Sequence, residues 1–217
     1  MRLFTVCGTP MIDVDPDVAE SDGRNRRLGS AIGVAARTVR DLSGLAAHGA
    51  EFCRGARLSG LCLSSASFIR AAAVEANFDG ADLSAVDFSH ADLRWASFHD
   101  ANLSGARLAG ANLIGADMGS VAPDVAATID WTGAITIGMC LSGKLIDRNP
   151  LTVTGLRYPV TAVGEMLVIG CQAHSIVEWR RWGAREGIAS DGKVGGRFAV
   201  NVLPTILAIV DAWSNGD

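Results

Sequence analysis

The chain has 217 residues, 49% of them hydrophobic but only 6% aromatic, with 25 glycines and a formal net charge of −4. That length allows one or two domains with real cores, much of the apolar fraction being alanine. It gives no bulk electrostatic case for binding nucleic acid or an anionic membrane. The five cysteines, Cys7, Cys53, Cys62, Cys140 and Cys171, are scattered, and the N-terminus MRLFTVCGTPMIDVD has acids where the apolar stretch of a leader should continue. Free thiols in a reducing cytoplasm are the expectation.

Residues 1–38 carry no repeat. RLFTVCG reads as a strand and DVDPDVAESDGRNRR as a polar loop of mixed charge, together an N-terminal cap. From residue 39 to 120 the sequence repeats with a period of five. The centres are Leu58, Leu63, Phe68, Ala73, Phe78, Leu83, Phe88, Leu93, Phe98, Leu103, Leu108, Leu113 and Met118, thirteen units without a slip. Upstream, Leu42, Ala47 and Phe52 keep the same spacing until Gly55 adds one residue, as at a bulged corner.

A period of five puts successive centres of a straight strand on opposite faces. It fits a coil that turns a corner every five residues, so that four units close a square coil of twenty. The large centre and the small residue two before it then point inward. Coils stack about 4.8 Å apart, and residues twenty apart lie above one another. This predicts four inward columns, led by Phe78 and Phe98, by Leu63, Leu83 and Leu103, by Phe68, Phe88 and Leu108, and by Ala73, Leu93 and Leu113. Ser64, Ser84 and Ser104 are expected as an exposed polar ladder.

The units ANFDG, ADLSA, ADLRW, ANLSG and ANLIG resemble those of the pentapeptide-repeat family, whose pattern is Ala-(Asp/Asn)-Leu-X-X; the resemblance covers about residues 40–120. It implies a mainly β fold, a right-handed quadrilateral parallel β-helix. Ala73 in AAAVE and Cys62 in LCLSS depart from the pattern and point to a locally thin core. The resemblance also implies a binding role without cofactor or metal. The best-known members bind DNA gyrase by imitating duplex DNA, and members often dimerise end to end.

Two sets of outward residues are candidate sites. Asp79, Asp82, Asp87 and Asp92 form an acidic belt. It is either a partial DNA mimic or, because Asp before the centre belongs to the repeat pattern, a set of corner-turning side chains. Residues 51–120 carry eight acids and five bases, far short of the one charge per roughly 1.7 Å of duplex DNA. Val74, Glu75, Arg94, Trp95 and Ile114 mark one side where apolar groups stand in outward slots. Either another part of the chain covers them or a partner binds there.

Residues 121–217 read as a small C-terminal α/β module. AITIGM and LTVTGL are expected strands, and LRYPVTAV and MLVIGCQ form a hairpin about Gly164-Glu165. SIVE is a capping box that starts a helix at Ser175, with Ile176 and Trp179 inward and Arg181 and Arg185 outward. A last helix runs from near Phe198 to Trp213, started or kinked at Pro204. The apolar run from Phe198 to Val210 is 13 residues, too short for a bilayer. The stretch YPVTAVGEMLVIGCQAHSIVEW is similar to a tail module that follows pentapeptide repeats in phage and prophage proteins.

Cys171 and His174 form a C-x-x-H pair, but a zinc site needs two more ligands and a nucleophile needs an orienting acid. Arg180, Trp182 and Arg185 suit the wet face of a helix better than a nucleic-acid contact. The sequence therefore predicts a cytoplasmic, non-catalytic, phage-type protein. Its expected partner is a bacterial nucleic-acid-processing complex, a defence complex such as a CRISPR effector or restriction enzyme, or gyrase. No direct nucleic-acid or membrane binding is expected. The alternatives are a scaffold protein self-associating through the C-terminal module as a homodimer, and a cysteine-dependent enzyme using Cys171.

Overall fold

The structure, a computed structural model, describes residues 2–4, 10–13, 24–52, 54–126, 128–153, 155–156, 160–169, 172–186 and 202–215. The chain divides into two compact units, Met1–Pro150 and Leu151–Asp217.

The first unit opens with antiparallel strands β1 (Arg2–Phe4) and β2 (Pro10–Asp13) and the helix α1 (Arg24–Thr38). The strand expected in RLFTVCG is present. The helix is a departure from the expected loop. It has no acidic residue in its first turn, and its buried residues include Gly29, Ala31, Ile32 and Ala35, a largely small-residue face with little periodic signal. The small face serves close packing: a Cβ added at Gly29 would lie 2.0 Å from the Glu51 carbonyl oxygen. Only glycine lets the helix come that near the first coil.

The coils have the predicted register. Parallel bridges join Arg57 to Asn77, Cys62 to Asp82, Ser67 to Asp87 and Ala72 to Asp92, and the next coils repeat the step of twenty residues. Before Gly55 the step is 21, as from Asp41 to Cys62, so the one-residue insertion is real; Gly55 has φ +71°. At the regular corners the centre's carbonyl accepts a hydrogen bond from the N–H three residues on, as Leu83 does from Val86 at 3.1 Å. The second residue after the centre takes a positive φ, as Gly80 and Gly105 do. That is the geometry of a type II turn. The predicted columns are in place and fully buried from Leu58 to Met118. Phe78 stacks on Phe98 with centroids 5.2 Å apart and planes 6° from parallel, and Phe68 on Phe88 at 5.1 Å.

The β-helix does not stop at residue 120. The short strand β3 (Asp117–Met118) leads into a connection holding the single turn α2 (Pro123–Ala126), and then another coil begins. Arg107 bridges Asp130, Asn112 bridges Ile135, and β3 pairs in parallel with β4 (Cys140–Leu141). These steps are 23 residues, so the connection adds three to the ordinary twenty. AITIGM is accordingly not a strand of a separate module. It supplies corners of the last coil, with Trp131, Thr136 and Leu141 as the buried centres. The boundary expected at 120/121 falls instead at 150/151. A polar centre at Thr136 is tolerated because its hydroxyl donates to the Arg148 carbonyl at 2.8 Å. Strand β5 (Lys144–Leu145) folds back antiparallel on β4, which covers part of the open edge.

The second unit has one antiparallel sheet in the order β6 (Leu151–Val153), β7 (Val160–Val163), β8 (Met166–Ile169), β9 (Gln172–Ser175). Two helices complete it, α3 (Ile176–Glu186) and α4 (Leu203–Asn215). The expected hairpin turns at Gly164. The expected capping box is present: the Ser175 N–H donates to Glu178 Oε2 at 2.9 Å, and the Glu178 N–H donates to Ser175 Oγ at 3.2 Å. Pro204 falls in the first turn of α4, where its missing N–H costs nothing. Val160, Leu167, Trp179, Leu203, Ile206 and Val210 form the core, and the Trp179 indole donates to the Leu167 carbonyl at 2.7 Å.

Candidate functional site

The four sides of the β-helix differ because the outward slots differ. In the slot before each centre, Asp or Asn accepts a hydrogen bond from the N–H two residues on. The pairs include Asp41–Ser43, Asp82–Ser84, Asp87–Ser89, Asp92–Arg94, Asn102–Ser104 and Asp130–Thr132. These are Asx turns, repeated corner after corner, so the acid or amide of the pattern fixes the turn. Asp79 sits one slot beyond its centre, where its carboxylate accepts from Asn77 Nδ2, Ser97 Oγ and the His99 N–H.

The acidic belt therefore lies where the sequence put it, with its charges engaged. Asp92 has a bidentate partner in Arg94, the shorter contact 2.7 Å. Asp87 lies 3.6 Å from Arg107, and Asp82 accepts from Asn102 Nδ2 at 3.1 Å. Hydrogen bonding from Arg94 holds the Asp92 carboxyl below its usual range and raises the Arg94 guanidinium. Ser64, Ser84 and Ser104 are half-buried instead of exposed. Ser64 Oγ donates to Ser43 Oγ at 3.1 Å and Ser104 Oγ to Asn102 Oδ1 at 2.7 Å.

The side after the fourth column is different. Val74, Arg94 and Ile114 occupy one outward slot coil by coil, and Glu75, Trp95 and Gly115 the next. Val74 and Ile114 are half-buried, while Glu75, Arg94 and Trp95 are exposed. Glu75 pairs with Arg54 at 2.9 Å. Trp95 is 60% exposed and has φ +60°, in the slot that glycine fills in the next two coils. A bulky residue there carries backbone strain. Its ring lies across the next coil: a Cβ added at Gly115 would come within 2.2 Å of Trp95 Cε3. The five candidate residues are thus brought to one side of the rod.

The last coil extends that side. Ile137 comes after Ile114 in the same slot and is 49% exposed, with Ile135 at 37% in the slot before the centre. The Gly138 N–H donates to the Ile146 carbonyl at 2.7 Å, and the highly exposed Leu145 lies opposite Cys140 on β5. Sequence reading missed Ile135, Ile137 and Leu145 because it gave these residues to another module. A signal was available: WTGAI and TIGMC are repeat units once three extra residues are allowed, and Gly133 and Gly138 take the positive φ of corner glycines.

In the second unit, His174 is half-buried with its ring edge-on to Trp179 at 5.6 Å. Cys171 lies outside the described residues. Arg180 pairs with Asp211, and Arg181 is exposed as expected; the side chains of Trp182 and Arg185 are not among those described. Val177 and Ile209 are exposed on α3 and α4. No helix among the described residues is long and apolar enough to cross a membrane.

Residues 53–89, 62–100 and 87–121 match the model of pentapeptide repeats, in eight copies. No curated protein matches the sequence. Among solved structures, a pentapeptide-repeat protein of the Arabidopsis thaliana thylakoid lumen is 33% identical over 46% of this chain and 63% of its own, with a TM-score of 0.36. HetL of the cyanobacterium Nostoc, involved in regulating heterocyst differentiation, is 27% identical over 48% of this chain and 55% of its own, with a TM-score of 0.34. QnrB1, a plasmid-mediated fluoroquinolone resistance protein, is 18% identical over 46% of this chain and 67% of its own, with a TM-score of 0.21. This chain thus spans less than two thirds of the first two. Residues 53–121 of the chain thus match pentapeptide repeats, and in the structure they form stacked parallel coils of a β-helix.

Proposed function

We propose that this is a non-catalytic binding protein of phage origin, acting in the cytoplasm. It occupies a surface of a bacterial nucleic-acid-processing machine with the Val74–Trp95–Ile114 side of its β-helix. The observation that carries the reading is Trp95. It stands 60% exposed, on the side that also carries Ile114 and Ile137. Anchors of this kind, Trp with a polar rim such as Glu75 and Arg94, dominate protein interfaces. The tail sequence favours a phage-directed target, a defence complex ahead of gyrase. Surface occupation is the core of the proposal, and partial DNA mimicry by Asp79, Asp82, Asp87 and Asp92 is its electrostatic variant.

The test is affinity capture from a bacterial host lysate, with and without nuclease, using wild type, Trp95→Ala and the fourfold Asp→Asn variant. Truncating an anchor commonly costs about 2 kcal/mol, roughly thirtyfold in affinity. Capture lost in Trp95→Ala with melting unchanged supports the surface reading. Lower melting with the tail more readily proteolysed makes Trp95 an internal seam, and no change in either withdraws the site. Asparagine keeps the corner bonds at 82, 87 and 92 and one accepting oxygen at 79, so unchanged capture and salt dependence in the fourfold variant would remove mimicry.

A second reading has its own observation. Val177 and Ile209 expose apolar surface on the two helices of the second unit, which suits self-association through that unit. Light scattering at two concentrations separates a constitutive homodimer from a monomer.

A further inference from the structure

We propose that the N-terminal end of the β-helix is a nucleic-acid backbone site. Exposed arginines of the first coil, and of the chain leading into it, hold the phosphates of a duplex without reading its sequence. The inference goes beyond the proposed function and uses a different part of the molecule.

The net charge of −4 conceals a segregation. Residues 24–70 hold eight arginines and two acids, whereas residues 71–130 hold two arginines and nine acids. Helix α1 contributes Arg24, Arg26, Arg27 and Arg37 and no acid. A local field of one sign steers a charged partner whatever the total over the chain.

The structure gathers three of these arginines on one side of the rod. Arg57 fills the slot before Leu58, on the lowest rung of the side that continues in Asn77 and Ser97. Arg54 stands at the corner before it, where it pairs with Glu75 of the next rung at 2.9 Å. Arg40 reaches the corner after it: a Cβ added at Gly60 would lie 3.3 Å from a guanidinium nitrogen of Arg40. All three are exposed, as is Arg37. An exposed pair such as Arg54–Glu75 is weak, and a phosphate is a better partner for the arginine. The two acids of this stretch take the slots of other sides, Asp41 bridging Cys62 and Glu51 bridging Ala72. One rung up, the Asp79 carboxylate is engaged by Asn77, Ser97 and the His99 N–H.

The character of this end selects the occupant. Among the described residues, no large apolar side chain between 24 and 70 is exposed. An element lying on a membrane needs an apolar face beside its cations, and a protein interface needs a buried anchor. A wet surface of guanidinium forks suits phosphate oxygens, which arginine grips bidentately. Contacts of this kind position a duplex and carry no sequence information. The aromatic rings of the stretch, Phe52 and Phe68, are buried, so unpaired bases find no stacking platform and a duplex is favoured over a single strand. The acids begin on the next rungs, so the duplex must cross the end of the rod and not run along it. A second copy offering its acidic coils would make a heterologous contact that does not close on itself.

The experiment titrates a short fluorescein-labelled DNA duplex of mixed sequence with the full chain and reads anisotropy as salt is raised. The full chain is used because residues 13–22 carry five acids, which compete for the arginines. Three arginine–phosphate contacts should give a log–log salt slope of about −2.7, roughly a fortyfold loss between about 50 and 200 mM salt. Arg40→Gln with Arg57→Gln should reduce the slope to about −0.9 and leave melting unchanged, while Arg107→Gln in the acidic coils should bind as wild type does. If the double variant melts lower, Arg57→Gln alone is read, with a slope change of about 0.9. A duplex that does not bind at the lower salt overturns the proposal, and so does a slope that the double variant leaves unchanged. A single strand bound as tightly as the duplex overturns the choice of duplex. Polyglutamate that displaces the duplex as well as unlabelled DNA does would make the end a site for acidic protein. Salt-sensitive association of copies in light scattering, lost in the double variant and without duplex binding, would assign the arginines to a second copy.

Discussion

The middle of the β-helix and its two ends solve different problems. From Arg57 to Met118 every coil is a copy of the one before, and the same four columns, corner bonds and twenty-residue steps recur. At the ends the repeat is offset and then replaced by other elements. A helix lies against the first coil through Gly29, and the last coil is reached by a three-residue detour, centred on Trp131 and Thr136, and folded back on itself by β5. Propagation needs one rule applied many times, whereas termination needs a separate contact for each exposed edge.

The comparison can be broken first where it predicts the largest effect. Phe78 is fully buried and touches rings in the coils around it, stacked on Phe98 and edge-on to Phe68 and Phe88. Phe78→Ala should cost about 3–5 kcal/mol, read as the drop in unfolding free energy. If the columns are independent, Leu103→Ala should add to it without coupling. A coupling above about 0.5 kcal/mol between them would show that the coils respond as one packed body.

At the N-terminal end a smaller change should act through a different mechanism. Gly29→Ala removes no contact, but its new methyl meets the Glu51 carbonyl oxygen at 2.0 Å. The helix must shift, at about 1–3 kcal/mol. Hydrogen exchange should show α1 and residues 41–52 losing protection while residues 76–118 keep theirs. At the other end, Thr136→Val removes the hydroxyl that donates to Arg148, and should cost about 1–2 kcal/mol, with exchange rising in residues 129–150. Loss of protection spread evenly along the rod from either variant would erase the distinction between middle and ends.

Legibility in the sequence divides along the same line. A period of five is a global signal, so columns, corners and even the insertion at Gly55 are visible without coordinates. The capping box at Ser175 and Glu178 is equally readable, because it is a local bond between residues three apart. The helix α1 is not. Its packing face is small because it must approach the Glu51 backbone, and the shortage of large side chains removes the amphipathic signal. The last coil is hidden for a related reason, since the detour breaks the frame and Trp131 and Thr136 replace the expected leucine. The candidate side was legible through Trp95, yet only as far as the frame ran, so its continuation to Ile137 was lost with the coil.

The smallest expected effect sharpens the role of the corner carboxylates. Asp92 and Asp41 are held below their ordinary range near 3.8, Asp92 chiefly by hydrogen bonding from Arg94 and Asp41 chiefly by Ser43. A carboxyl whose folded value is depressed favours the folded state when ionised. Its contribution is therefore complete above the unfolded value and is lost as pH falls from about 4 through the lower folded value. Wild type should lose melting temperature between pH 5 and 3 relative to Asp92→Asn, which keeps an acceptor for the corner bond but has no charge to lose. High salt should shrink the difference, because Asp92 and Arg94 are partly exposed. The Asn variant should also match wild type closely at neutral pH if turning the corner is the main task of this position. If it is instead markedly less stable there, with the gap closing at low pH, the ion pair with Arg94 is the larger part of what Asp92 contributes, and the middle of the rod depends on charge as well as on its repeated turns.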